Sequence, residues 1–381
     1  MVSFLIPFES ALGETRVSAT PETVKKFLDL GCKVFFEKGA GKAAGFLDNS
    51  YLDAGAELVE IENDEVKKIV DIVLCVQPPN EKFLSNLKPG TFLVGLLNPY
   101  GNKLLAEKLK SKNISAIALE LLPRISRAQS SDALSSQANI AGYKSVLLAA
   151  SALDRYFPML MTAAGTIQPS KIVVLGAGVA GLQAIATAKR LGAVVYVSDI
   201  REAVKEQVES LGARFIELPK IDETPSESGG YAKQVSDEFI IAQRKELAKQ
   251  LSEADVAICT AQVPGKKAPK LIDEKMLDEM RPGSVVIDLA VLSGGNCACS
   301  KPGETIVREG VKIIGASNLP CSIPNHASSL YSRNLLSLLQ PMFKEGKFLI
   351  DNDDELITGS LISKDGVILK SEIIENGGTR S

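Results

Sequence analysis

The segment KIVVLGAGVAGLQAIATAKRLGAVVYVSDI, residues 171–200, constrains this chain more than any other. An apolar run ends at Leu175, and Gly176, Gly178 and Gly181 follow in the spacing GxGxxG, directly before a helix-forming stretch. Glycine at 176 permits a tight turn out of a strand. Glycine at 178 lets a pyrophosphate approach the backbone, and glycine at 181 lets helix and strand pack closely. The helix start offers unpaired N–H groups and the positive end of its dipole to phosphate. The next apolar run ends at Asp199, about twenty residues on, where a carboxylate holds the ribose hydroxyls of an adenosine. The pattern therefore points to a dinucleotide. A carboxylate at 199 repels a 2′-phosphate and favours NAD over NADP. Arg201 acts in the opposite sense, because an arginine nearby can accept that phosphate. The competing reading is a glycine-rich turn with no ligand.

The rest of the chain alternates in the same manner. Val2–Ile6, Lys33–Glu37, Ile69–Leu74, Thr91–Gly95 and Ile114–Ala118 read as strands, with helices at Pro21–Leu30 and Asn102–Ser111. A long helical stretch runs from Asp132 to about Tyr156. Strands then fall at Lys171–Leu175, Val194–Ser198, Arg214–Ile216, Asp255–Thr260, Ser284–Asp288 and Lys312–Ile314. Helices fall at Val179–Leu191, Glu202–Leu211 and Ala232–Leu251. One more helix, Ala327–Leu339, precedes a polar tail with Gly and Asp that is expected to return to the first domain. Alternation of this kind predicts an α/β protein with two Rossmann-like, mostly parallel sheets and a cleft between its domains. The expected division is 1–135 plus 327–381 for a discontinuous first domain and 136–326 for an inserted nucleotide-binding domain. No internal repeat is visible.

Composition excludes several classes. A chain of 381 residues is long enough for two cores. It is 45% apolar and 23% charged with a net charge of −3, so no overall field draws it to nucleic acid or anionic lipid. The longest apolar region, Ser145–Gly165, is interrupted by Asp154 and Arg155 and does not read as a membrane span. The N-terminal run MVSFLIPFESALGETR has no basic region before it, so no secretory signal is expected and the location reads as cytoplasmic. Cys32, Cys75, Cys259, Cys297, Cys299 and Cys321 are scattered and read as reduced thiols. The chain's single histidine, His326, reads as a helix-start or surface residue, and no metal site is expected.

Two polar stretches stand out. LLPRISRAQSSDALSSQANIAGY crowds Arg124, Arg127, Gln129, Asp132, Ser135, Ser136 and Gln137 between apolar flanks, where the first domain meets the second. It reads either as a supplier of donors and acceptors to the nicotinamide end of a dinucleotide, or as a solvated connector capped by Asp132 or Ser130. PKIDETPSESGGYAKQ has no apolar period and carries Gly229 and Gly230 before Tyr231. It reads either as a hinged lid or as an exposed connector.

These stretches, with GETRVSATP, MTAAGTIQPSKIVVLGAGVAGLQAIATAKRLGA and VVIDLAVLSGGN, resemble the nucleotide-binding subunit of proton-translocating nicotinamide nucleotide transhydrogenases over nearly the whole chain. The resemblance implies an oxidoreductase and translocase. NAD(H) is bound here and NADP(H) by a beta subunit, hydride passes directly between the nicotinamides, and a membrane portion moves protons. It implies contacts to the nicotinamide end from Arg124, Gln129, Asp132 and Ser135, a ribose acid at Asp199, and a mobile-loop tyrosine at Tyr231. Further nucleotide contacts are implied at Val179, Ile200, Arg201, Gly230 and Gln262. It also implies a homodimer, a separately encoded membrane alpha subunit, and a position peripheral to the inner membrane through those partners. The second enzymatic reading is an alanine dehydrogenase, which the chain resembles in fold and glycine-rich region. That family uses an Arg near the N-terminus, a Lys, a His and an Asp. Arg16 is present, but the Lys region reads VLCVQPP, the His region FLVGLLNPYGN, and Leu292 stands where the acid belongs. Deamination needs a proton acceptor and is expected to be disabled. A non-catalytic NAD-sensing module is the third reading.

Overall fold

Short apolar runs hidden on both faces become parallel strands. β1 (Ser3–Ile6), β2 (Lys33–Glu37), β3 (Glu57–Val59), β4 (Ile72–Leu74), β5 (Phe92–Gly95) and β6 (Ser115–Ala118) pair in the order β3-β2-β1-β4-β5-β6, all parallel. Their side chains alternate between two apolar layers. Phe4, Ile6, Phe36 and Leu74 lie in one layer, with the helices Pro21–Asp29 and Pro324–Leu339 contributing Phe27 and Leu335. Leu5, Val73 and Leu93 lie in the other, with Leu84 and Leu109 from the helices Glu81–Asn86 and Lys103–Ser111. The computed structural model describes residues 1–60, 64–217, 237–263, 265–344 and 347–376.

After a hairpin of β7 (Leu160–Thr162) and β8 (Gly165–Ile167), a second sheet repeats the logic. Its strands are β9 (Lys171–Leu175), β10 (Val194–Ser198), β11 (Arg214–Phe215), β12 (Val256–Cys259), β13 (Val285–Asp288), β14 (Thr305–Arg308) and β15 (Val311–Gly315). They stand in the order β11-β10-β9-β12-β13-β15-β14, parallel except for β14 on the edge. Ile172 and Val174 face one apolar layer, Val173 and Leu175 the other. The chain then returns through β16 (Phe343–Lys344), β17 (Lys347–Phe348), β18 (Leu361–Lys364) and β19 (Val367–Ile368). β18 runs antiparallel to β6 and β19 extends the first sheet beyond it. Both sheets are thus Rossmann-like, with parallel cores and helices on both faces.

The chain divides into Met1–Gln137 with Pro320–Ser381, and Ala138–Leu319. Sequence reading puts these crossings at 135/136 and 326/327. The first crossing lies inside the helix Ala133–Ala152, where no linker composition marks it. Buried Gln137 belongs to the first unit because Arg16 donates to its Oε1 and its Nε2 donates to the Ala327 carbonyl. Pro320 is buried as well, so the 3-10 turn Leu319–Ser322 carries the second crossing.

Several local expectations shift. The strand read at Ile69–Leu74 begins at Ile72, because Ile69 and Val70 donate back to Val66 and close the turn after Asp64–Lys67. The helix read to Tyr156 ends at Ala152, where Lys312 Nζ takes up the Ala152 carbonyl and pairs with Asp154. Strand β3 and the edge strand β14 are additions. The tail is not an irregular polar segment, since it holds strands and the helices Glu355–Ser360 and Ser371–Asn376. The helix expected at Ala232–Leu251 is described over Asp237–Ser252.

Candidate functional site

In the second sheet the strand order reverses between β9 and β12, and in open α/β sheets ligands bind outside the carboxyl ends at such a switch point. The glycine-rich turn sits there. Gly176 has φ +99°, a conformation for glycine, and a β-carbon on it would lie 2.7 Å from Thr260 Oγ1. On Gly181 a β-carbon would lie 1.9 Å from the Gly176 carbonyl oxygen. Gly181 therefore packs against the turn itself rather than against a strand side chain. Around Gly178 there is open space, with nothing within 4 Å of a β-carbon. Gly178 is also the N-cap of the helix Val179–Arg190, and no side chain caps it. The first backbone bond runs from Leu182 N–H to the Gly178 carbonyl, so the amides before Leu182 have no intrahelical acceptor. This is a helix N-terminus with room in front of it and positive potential behind it, the arrangement that accepts a phosphate.

Asp199 follows β10 and is tied to the same turn. Its Oδ2 accepts from Ala177 N–H at 2.7 Å and from Arg201 Nη2 at 2.9 Å. Its Oδ1 accepts from Arg201 N–H at 2.9 Å and Nε at 3.0 Å. Burial by itself would raise the carboxyl, but the Arg201 side chain and the two backbone amides outweigh it and hold Asp199 below the usual carboxylate range. Val179 and Ile200 are both exposed, apolar residues flanking this turn in sequence. Gln262, in the loop after β12, is exposed and donates from Nε2 to the Leu289 carbonyl at 2.7 Å.

Three supports of the turn escape sequence reading. Thr260 Oγ1 donates to the Leu175 and Gly176 carbonyls at 3.1 and 3.0 Å. Buried Asn296 accepts from Ala261 N–H and donates to the Ala261 and Pro269 carbonyls, which fixes the loop after β12. Gly142 brings the helix Ala133–Ala152 so close that a β-carbon would lie 2.1 Å from the Ala180 carbonyl oxygen. The first two are polar residues closing apolar strands, a signal that was available. Gly142 is a glycine inside a helix, and its meaning lies in a partner remote in sequence.

The polar stretch of the first unit resolves differently for each residue. Asp132 caps the helix Ala133–Ala152: its Oδ1 accepts from Ser135 N–H at 2.9 Å and its Oδ2 from Ser135 Oγ at 2.5 Å. Ser130 does not cap, since its carbonyl accepts from Asn334 Nδ2. Arg127 forms an ion pair with Asp354. Arg124 and Gln129 are exposed, Gln129 within the 3-10 turn Ser126–Ser131. The stretch thus brings Asp132 and Ser135 together and presents Arg124 and Gln129 on the surface of this unit. Gly230 and Tyr231 lie outside the described residues.

The first sheet has its own switch point between β1 and β4, and there the chain occupies the crevice with its own carboxylates. Glu9 accepts from Val76 N–H at 2.5 Å and Gln77 N–H at 3.2 Å. Burial, helped by nearby Glu14, pushes its carboxyl up to about 8 against the opposing backbone bonds and Arg16. Arg16 donates to Glu14 at 2.7 Å from both Nε and Nη2, and to Gln137 at 2.9 Å from Nη1. The pair is buried, with side chains 3% and 1% exposed. Burial works against the Glu14 charge, but Arg16, with the Cys321 thiol and Gln77, overcomes it and brings the carboxyl down to about 2.

Two family models match, "Alanine dehydrogenase/PNT, N-terminal domain" over residues 5–141 and "Alanine dehydrogenase/PNT, C-terminal domain" over residues 145–371. The chain belongs to the alanine dehydrogenase/PNT family. Within that family it is 45% identical to the first of the polypeptides that make up the NAD(P) transhydrogenase alpha subunit of Rhodospirillum rubrum, over 98% of this chain and 99% of that protein. It is 29% identical to alanine dehydrogenase 1 of Staphylococcus aureus, over 91% of this chain and 89% of that one. The solved structure of a transhydrogenase from Sinorhizobium meliloti superposes with a TM-score of 0.87 at 41% identity, covering 96% of this chain and all of that one.

The site chemistry separates the two branches of the alanine dehydrogenase/PNT family. Arg16, the one deamination residue the sequence retains, has its guanidinium committed to Glu14 and Gln137. Leu292, where the catalytic acid belongs, is 68% exposed and offers no proton acceptor. His326 lies exposed in the first turn of Pro324–Leu339. Among the described residues no helix is long and apolar enough to cross a membrane, and no group of side chains is arranged to hold a metal ion. All six cysteines are free thiols.

Proposed function

We propose that this chain is the NAD(H)-binding subunit of a proton-translocating transhydrogenase, which passes hydride directly to or from NADP(H) held by a beta subunit while a membrane subunit moves protons. One observation carries the reading. The only one of the three fingerprint glycines that faces open space, Gly178, starts a helix whose first amides have no intrahelical acceptor, and the adjoining Ala177 amide is tied to Asp199. That pairing serves the pyrophosphate and adenosine ribose of one dinucleotide. When bound, the dinucleotide supplies the hydride itself, and no protein acid or base is required. The chain's residues bind and orient. Gly176 and Gly181 shape the turn, Gly178 admits the pyrophosphate, and Asp199 takes the ribose. Val179 and Ile200 offer apolar surface to the adenine, and Arg201 and Gln262 flank it. In the first unit, Arg124 and Gln129 supply exposed donors for the nicotinamide half, on a segment that Asp132 and Ser135 hold in shape. Tyr231, with Gly230 before it, closes over the nucleotide and excludes water. A homodimer working with a beta subunit and a separate membrane alpha subunit completes the enzyme.

A mixing assay tests this. The chain alone binds NADH with little turnover, and rapid transfer to an NAD analogue appears when a beta-subunit domain loaded with NADPH is added. Replacing Gln129 by Ala slows single-turnover transfer at least about tenfold, equivalent to 1.4 kcal/mol of barrier, while NADH binding changes less. Equal losses in both would reduce Gln129 to a simple binding residue. Reduction of NAD by alanine with this chain alone would overturn the assignment.

A further inference from the structure

The side chain of Arg201 covers the atoms that a nucleotide ribose needs. An ionised carboxylate has about four acceptor positions, and Asp199 uses four: Ala177 N–H, Arg201 N–H, Arg201 Nε and Arg201 Nη2. Two of these donors are backbone amides that hold the carboxylate in place at the glycine turn. The other two belong to the guanidinium, whose side chain is 44% exposed while that of Asp199 is 6% exposed. Arg201 is therefore the mobile half of the pair.

We infer that Asp199 and Arg201 form a latch that sets nucleotide choice: Asp199 sequesters the one nearby guanidinium able to take a 2′-phosphate and releases it only to the two hydroxyls of an unphosphorylated ribose. The count matches, since two guanidinium N–H groups leave the carboxylate and two ribose O–H groups replace them. A 2′-phosphorylated ribose has one fewer hydroxyl to offer and brings charge that the buried carboxylate repels. It can neither open the latch by exchange nor reach a guanidinium that is already paired. On this view Arg201 supports selection of NAD because it is occupied, and the same residue serves NADP once Asp199 is neutralised. The inference rests on the nucleotide-binding reading above and assigns its specificity.

The test is a cycle of the full-length chain, Asp199→Asn, Arg201→Ala and the double variant, titrated calorimetrically with NADH and NADPH. Asparagine keeps an acceptor oxygen for the Ala177 amide, and Asp199→Ser is carried as a second neutral form, with circular dichroism confirming the fold. Asp199→Asn binds NADPH at least about tenfold more tightly than the unaltered chain, and adding Arg201→Ala removes that gain to within about twofold. Arg201→Ala alone binds NADH more tightly, because two carboxylate positions stand open. If both neutral forms fold yet gain nothing for NADPH, or if the double variant keeps the gain, the latch is refuted. It is equally refuted if Arg201→Ala weakens NADH binding. Failure of the unaltered chain to bind NADH would instead sink the nucleotide-binding reading itself.

Discussion

Hypothetical β-carbons distinguish the roles of the three fingerprint glycines. At 176 and 181 one would meet backbone or Thr260 at 2.7 Å or less, so these positions shape the turn, whereas at 178 it would meet nothing. The GxGxxG spacing and the acid at 199 were legible in the sequence because they are local. Thr260 and Asn296, which lock the turn from beyond β12, were not, since their partners are set by the sheet order. Glu9 is a second residue whose behaviour depends on such pairing. Its carboxyl is raised from an ordinary 4.5 to about 8 by burial and by Glu14. An acid raised on folding binds more protons in the native state between those two values, so it lowers stability as pH climbs through that window. Glu14 acts elsewhere. Its carboxyl is depressed to about 2, so its contribution is complete above 4.5 and is lost as pH falls from there toward 2. Glu9→Gln keeps the shape without the titration. The expected result is that urea unfolding of the unaltered chain weakens from pH 5 to pH 8 relative to this variant, by about 1.4 kcal/mol for each pKa unit in play. Parallel profiles would show that Glu9 is not raised.

Elements were legible where their pattern is internal. The parallel strands of both sheets read as apolar runs because helices cover both faces. β14 was missed because it is a half-exposed edge strand with alternating polarity, and β3 because two of its three residues are exposed. The helix Ala133–Ala152 was anticipated, but not its close crossing with Val179–Arg190. Those two helices meet at Gly142 against Ala180, and Asn139 Nδ2 donates to Gln183 Oε1 at 3.1 Å beside that contact. A methyl group at 142 has no space, and overpacking of this kind costs about 1–3 kcal/mol. Gly142→Ala should therefore lower the thermal midpoint. Because Ala180 lies in the first turn of the fingerprint helix, the same change should also weaken NADH binding, read by quenching or enhancement of nucleotide fluorescence. Loss of stability with unchanged NADH affinity would mean that the crossing supports the fold without positioning the turn.

At the scale of the whole chain, one strand order is built twice without a visible sequence repeat, and the two switch points have diverged. The first is filled by Glu9, Glu14 and Arg16, the second is left open in front of Gly178. Reading by periodicity recovered two alternating sets of strands and the return of the C-terminal segment, but not the crossing points, because one falls inside a continuous helix. The inserted unit has an apolar layer on each face of its own sheet, drawn from residues 146–319 and 173–313. Every described residue proposed for the pyrophosphate and adenosine lies in it, whereas Arg124, Gln129, Asp132 and Ser135 lie in the first unit. A fragment of residues 133–319, which keeps the long helix from its first residue, should fold by itself and bind ADP-ribose within about threefold of the full chain. The full chain should prefer NADH to ADP-ribose by about tenfold or more, and the fragment should lose that preference. If the fragment distinguishes NADH from ADP-ribose as well as the full chain does, the nicotinamide half is bound without the Arg124–Ser135 segment, and the division of labour proposed for the two units fails.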